Sequence, residues 1–167
     1  LQSLVPDALA EPWDNVGLLA GSPGQPVHRI MMALDPCTDL ADQAIASHCD
    51  LIITHHPIIF KPLKALHTNT PIGAFLAAVV RANISVIACH TNLDSVEGGV
   101  SHALAKALGL EAIKPLIPAS YECADACGLG SIGSYASPIS AAELVARLRS
   151  FSAPQWILAA GQQPELV

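Results

Sequence analysis

The sequence predicts an α/β fold in which a mostly parallel sheet is covered by helices on both faces. Two observations point to it. Short apolar runs of β character alternate three times with stretches of helical periodicity, the pattern of consecutive strand–helix units. The chain is also rich in core-forming residues: 51% of its 167 residues are apolar and 13% are charged, against about a quarter charged in an ordinary domain. That apolar content excludes a disordered chain. The densest apolar run, 75–80, is far short of the roughly 18 residues that span a bilayer. Charge this scarce leads us to expect that some surface is buried against another chain.

The elements follow in order. A buried strand is predicted over 29–34, ending at Asp35, and a helix over 39–48. A second buried strand over 50–54 runs directly into His55-His56-Pro57. After a polar loop, 71–83 opens with a proline suited to a first helical turn and continues with an apolar body, so it reads as a helix. The third strand, 84–89, ends at His90. A helix over 99–108 has Gly109 as its natural C-terminal cap. The segment 114–126 carries two prolines and mixed polarity and reads as a connection. Beyond it, 128–135 is β-like, Ser140-Ala-Ala-Glu143 is a capping box opening a helix to Phe151, and 155–160 is a last strand. This places a first lobe at 1–113, a connection at 114–127 and the start of a second, incomplete lobe at 128–167.

Lys and Arg number 8 against 14 Asp and Glu, a formal net charge of −6. With no basic run, the chain lacks the electrostatic grip that nucleic acid demands. Of the five cysteines, Cys37, Cys49 and Cys89 lie in apolar or helix-like stretches. The odd count reads as a reduced, cytoplasmic chain with buried thiols rather than a secreted disulfide framework. Cys123 and Cys127 have neither zinc-ribbon nor redox spacing and are read as structural or incidental. No signal or transit segment is visible, and the chain, starting at Leu1 and ending at Val167, is expected to be a fragment.

In open parallel sheets, ligands bind beyond the carboxyl ends of the strands. Here those ends carry Asp35, His55 with His56, and His90 with Asp94. Neighbouring residues of an extended chain point to opposite sides, so His55 and His56 could each face a separate ion, with Asp94 bridging or completing either. Imidazole and carboxylate ligands suit zinc, iron, manganese, cobalt or nickel, and two such ions would activate a water and clamp an oxyanion. Against this stands packing: a histidine at a strand end often only hydrogen-bonds its loop. For His90 the choice stays open between ligand, partner of a ligand and loop hydrogen bonder, with a weak candidacy as catalytic base. Asp35 either serves the site or caps the next helix. His28, His48, His67 and His102 read as solvated or structural. Gly128-Leu-Gly-Ser-Ile-Gly133 matches the dinucleotide fingerprint in letters, but no apolar strand precedes it and no helix opens at its third glycine. Close backbone packing is the better reading of those glycines.

Pro12-Trp-Asp-Asn-Val-Gly-Leu18, Ile53-Thr-His-His-Pro-Ile-Ile-Phe60 and His90-Thr-Asn-Leu-Asp94 with Gly98-Gly99 closely resemble the successive motifs of the Nif-three-like dinuclear metal proteins, also called the GTP cyclohydrolase I type two family. The resemblance covers nearly the whole chain. It implies an α/β fold of two related lobes, a toroidal homohexamer and a two-metal site between the lobes. By motif position His55, His56 and Asp94 fall on metal ligands, His90 lies near the site, and Asp14 and Asn15 lie close to the cleft. The family's C-terminal His-x-x-x-Glu ligands have no match after Asp94: His102 is followed by Lys106. The function expected is a metal-dependent hydrolase of a small, nucleotide-derived substrate. The rival is a non-catalytic metal chaperone, sensor or regulatory scaffold, and a weaker third is a ring encircling nucleic acid.

Overall fold

The computed structural model describes residues 1–120, 123, 126–152, 154 and 156–158. They form two compact units, Leu1–Val96 and Glu97–Val167, and the helix expected over 99–108 packs on the strands that follow it.

In the first unit, β1 (Gly17–Ala20), β2 (Ile30–Ala33), β3 (Leu51–Thr54) and β4 (Ser85–Ala88) form one sheet in the order β1-β4-β3-β2. Strands β2, β3 and β4 are mutually parallel, in the register Met31, Ile52, Val86, and β1 closes the edge antiparallel to β4. Two helices, α1 (Thr38–Ala46) and α2 (Pro71–Arg81), bury Leu40, Ala41, Ala44, Phe75, Leu76 and Val79 against the face that carries Ile52 and Val86. The register sends Ile30, Met32, Leu51 and Ile87 to the opposite face. There Ile30 and Met32 are 50% and 75% exposed. The start of α2 is set by Thr70, whose hydroxyl accepts from Gly73 N at 3.2 Å, with Pro71 in the first turn. Beyond β4, the short α3 (Thr91–Ser95) begins at once after His90.

The second unit pairs β5 (Glu111–Pro118) with β6 (Gly128–Ser134) antiparallel, with α4 (Val100–Ala107) packed on both and α5 (Ala141–Ser152) after them. Much of the expected connection 114–126 is therefore strand. Pro115 and Pro118 are tolerated because each strand of a two-stranded ribbon has a free edge, where a missing N–H costs no pairing. The glycines of 128–133 serve close packing: a Cβ on Gly128 would lie 2.1 Å from the carbonyl oxygen of Ile117. The capping box is reciprocal, with Ser140 N donating to Glu143 Oε2 at 2.7 Å and Glu143 N to Ser140 Oγ at 3.2 Å. The strand expected over 155–160 lies mostly outside the described residues, and Trp156, Ile157 and Leu158 within it are not in a strand.

Two cysteine expectations are corrected. Cys123 and Cys127 are joined in a disulfide, because the turn that bonds Cys127 N to Cys123 O brings their Cα atoms to 5.4 Å. Cys49 and Cys89 are buried thiols as expected, but Cys37 is exposed at the start of α1. Among the described residues, no helix is long and apolar enough to cross a membrane.

Candidate metal centre

Because β2, β3 and β4 are parallel, their carboxyl ends lie along one edge of the sheet. Backbone pairing continues past the strands: His55 N donates to Ala33 O at 3.2 Å, His56 N to Leu34 O at 3.0 Å, and Cys89 N to Thr54 O at 2.9 Å. The positions of Asp35, His55, His56 and His90 are thus set by the sheet rather than by a free loop.

The imidazoles of His55, His56 and His90 converge, each offering a nitrogen within 4.8 Å of the others. Such a group can hold a metal ion. The expectation that His55 and His56 point to opposite sides is not met: their ring centroids are 4.9 Å apart. The strand ends at Thr54 and the chain bends at both histidines, so strand alternation no longer applies.

Each ring is held from behind at Nδ1. His55 Nδ1 donates to the carbonyl oxygen of Cys89 at 3.0 Å, His56 Nδ1 to Asp35 Oδ1 at 2.6 Å, and His90 Nδ1 to Asp14 Oδ1 at 2.9 Å. A carbonyl or carboxylate oxygen accepts the Nδ1 hydrogen in each case, which leaves Nε2 as the ring nitrogen turned toward the cluster. Metal-binding histidines are oriented in this way, by a carbonyl or carboxylate on the far nitrogen. Asp35 is thereby placed with the site: the N-terminal cap of α1 is Cys37, with no side-chain capping bond.

Asp14 is the most constrained anchor. Its side chain is buried, and besides His90 it accepts from Thr91 N at 3.0 Å and Thr91 Oγ1 at 2.5 Å. Burial alone would raise its pKa. The hydrogen bonds from His90, Thr91 and Asn15 outweigh that and hold it below the ordinary aspartate value. Asn15 ties the same segment to the far side of the site, Nδ2 donating to Ile59 O at 2.5 Å. Asp94, one helical turn beyond His90, sets Oδ1 3.9 Å from His55 Nε2. It flanks the cluster from α3 rather than joining its centre. His28 pairs loosely with Asp50 at 3.7 Å, away from the site.

A feature the motif reading passed over is aromatic. Trp13 and Phe60 pack edge to face with centroids 6.1 Å apart, and each lies edge-on to His90, at 6.5 and 6.4 Å. The available signal was their position, one residue before Asp14 and four after His56.

The family model for Duf34/NIF3 (NGG1p interacting factor 3) matches residues 1–167. A Streptomyces coelicolor protein named GTP cyclohydrolase 1 type 2 homolog is 35% identical over 147 residues, 88% of this chain and 52% of its own length. The chain thus spans about half of that relative. A solved Bacillus cereus protein related to NIF3 is 40% identical with a TM-score of 0.66, over 72% of this chain and 33% of that one. A solved hypothetical protein of Staphylococcus aureus is 28% identical with a TM-score of 0.78, over 90% of this chain and 61% of that one.

Proposed function

The chain belongs to the Duf34/NIF3 family, and from that premise we propose that it carries the histidine side of a dinuclear divalent-metal centre in a hydrolase acting on a small, nucleotide-derived substrate. The observation that carries this reading is the set of three imidazoles with Nδ1 tethered and Nε2 free. The donor set fits zinc, iron, manganese, cobalt or nickel. Such ions supply an activated water and polarise the bond to be cleaved.

The residues of the chain have distinct parts. His55 and His56 are ligands, with Asp94 beside His55 as the carboxylate ligand, and His90 completes the imidazole face. Asp35 and Asp14 keep His56 and His90 turned inward, and the Cys89 carbonyl does the same for His55. His90, whose Nδ1 is tied to Asp14, is also the candidate general base, through the Nε2 that faces the cluster. The working protein is proposed to be a cytoplasmic homohexamer, and a relative's name, GTP cyclohydrolase 1 type 2 homolog, puts GTP in the first substrate screen.

The test is metal content per chain by elemental analysis, with hydrolytic turnover in the same samples. We expect close to two ions per chain in a full-length protein bearing this sequence, loss of metal in His55→Ala/Asp94→Ala, and loss of turnover in His56→Ala with the fold intact. No metal in any form after incubation with zinc, manganese or iron would sink the reading. Tight metal binding without turnover on nucleotides, phosphoesters or amides would reassign the protein as a metal carrier or sensor.

A further inference from the structure

The chain has three Phe, two Trp and two Tyr. Two of these few aromatics stand in the open beside the histidine cluster: Trp13 is 60% exposed and Phe60 45%. Phe151 and Trp156 are also exposed, at 54% and 69%, and Phe75 is fully buried in the core, so what sets Trp13 and Phe60 apart is their place against His90. A burying fold would gain from covering aromatic surface of this size, so two such rings kept wet at the edge of a polar site call for an explanation.

The pair is held in place. Trp13 is followed by Asp14, which is locked to His90 and Thr91, and Phe60 follows Ile59, whose carbonyl accepts from Asn15. The two stretches of chain that present the rings are therefore tied together within two residues of each ring. Trp13, Phe60 and His90 meet edge to face with centroids 6.1–6.5 Å apart, so none of the three is stacked flat on another and together they form a corner.

We propose that Trp13 and Phe60 form an aromatic clamp that binds a planar aromatic or heteroaromatic ring of the substrate, with the reacting end of that molecule directed to the histidines. This rests on the hydrolase reading for its second half and deepens it by naming the substrate class. Stacking on an exposed indole is tolerant of ring identity, since every base has a π face. The clamp therefore selects for a ring, and the polar cluster next to it selects for what the ring carries.

The test uses the full chain with Trp156→Phe, which leaves Trp13 as the sole tryptophan. The probes are a purine nucleoside monophosphate and phenyl phosphate, with ribose 5-phosphate as the ringless control, and bound zinc is measured in parallel. We expect saturable quenching of Trp13 emission by the ring-bearing probes and none by the control. By calorimetry in the native-tryptophan background, Trp13→Ala and Phe60→Leu should each weaken nucleotide binding, Trp13→Ala by roughly 5- to 100-fold, with zinc content unchanged. Equal binding of probes and control, no response to either ring-bearing probe, or unaltered binding in both variants overturns the clamp. Quenching with no metal bound after incubation with zinc, manganese or iron would leave the clamp standing and remove the metal reading, and bound metal without quenching would do the reverse.

Discussion

Replacing Asp14 by alanine should be among the most damaging single changes in the first unit. The buried carboxylate accepts from His90 Nδ1 at 2.9 Å, Thr91 N at 3.0 Å and Thr91 Oγ1 at 2.5 Å. Hydrogen bonds to a charged group contribute about 1.5–3 kcal/mol each, and orphaned buried donors cost a similar amount. The three share one acceptor group, so their losses do not add, and water can enter the space left. We therefore expect a loss of about 3–4 kcal/mol, with Asp14→Asn, which keeps one acceptor oxygen, losing about half as much. Urea unfolding of the metal-free protein, followed by Trp13 emission in the Trp156→Phe background, reads this as a lower midpoint at unchanged slope. Asp14→Ala should in addition weaken metal binding by about 10- to 100-fold, since His90 loses its orienting partner. An alanine variant within about 1 kcal/mol of the parent would refute the argument that Asp14 anchors this corner.

Three other outcomes are expected. Phe75→Ala removes a fully buried core ring and should cost about 3–5 kcal/mol in the same unfolding assay; a loss under about 1 kcal/mol would mean the core repacks around it. Gly73→Ala would set a Cβ 2.0 Å from the carbonyl oxygen of His67, so the turn at 67–70 must shift, lowering the melting temperature by a stability loss of about 1–3 kcal/mol; an unchanged melting curve would show slack in that turn. Asp50 accepts backbone hydrogen bonds from His28 and Arg29, and these hold its pKa below the ordinary value. Its contribution is therefore present above the ordinary aspartate pKa and lost as pH falls through the depressed one. The melting difference between parent and Asp50→Ala should be constant near neutrality and close on acidification, and a gap that widens in acid would contradict the sign.

The parallel core was legible because its strands read as unbroken apolar runs: 29–34, 50–54 and 84–89 appear as β2, β3 and β4, each trimmed by a residue or two. Burial was legible only for β3 and β4, which are paired on both sides; β2, expected to be buried, is an edge strand with Ile30 and Met32 exposed. Pro71 marked the start of α2 for the same local reason the structure shows, and the Thr70 cap was added by the structure. What stayed hidden had no periodic signature. β5 carries two prolines that only an edge would tolerate, β1 is four residues opening on a positive-φ glycine, and α3 is a single turn. At the site, the strand-end placement of His55, His56 and His90 was readable from the alternation of elements. The side to which His55 and His56 point was not, since it depends on the bend after Thr54. Nor was the match of each ring to its anchor, because Asp14 and His90 are 76 residues apart in the chain.

The anchoring of three rings from separate stretches of chain has a consequence for the lifetime of the protein. His55 and His56 leave β3, His90 leaves β4, and their holders come from before β1, after β2 and, for His55, the end of β4. These groups meet only in the folded unit, so a cation taken up between them cross-links the folded chain and has no equivalent grip on the unfolded one. Each tenfold rise in free ion above the dissociation constant then adds about 1.4 kcal/mol to stability. Resistance to proteolysis becomes a gauge of metal supply, and a starved cell would clear this chain faster than a replete one.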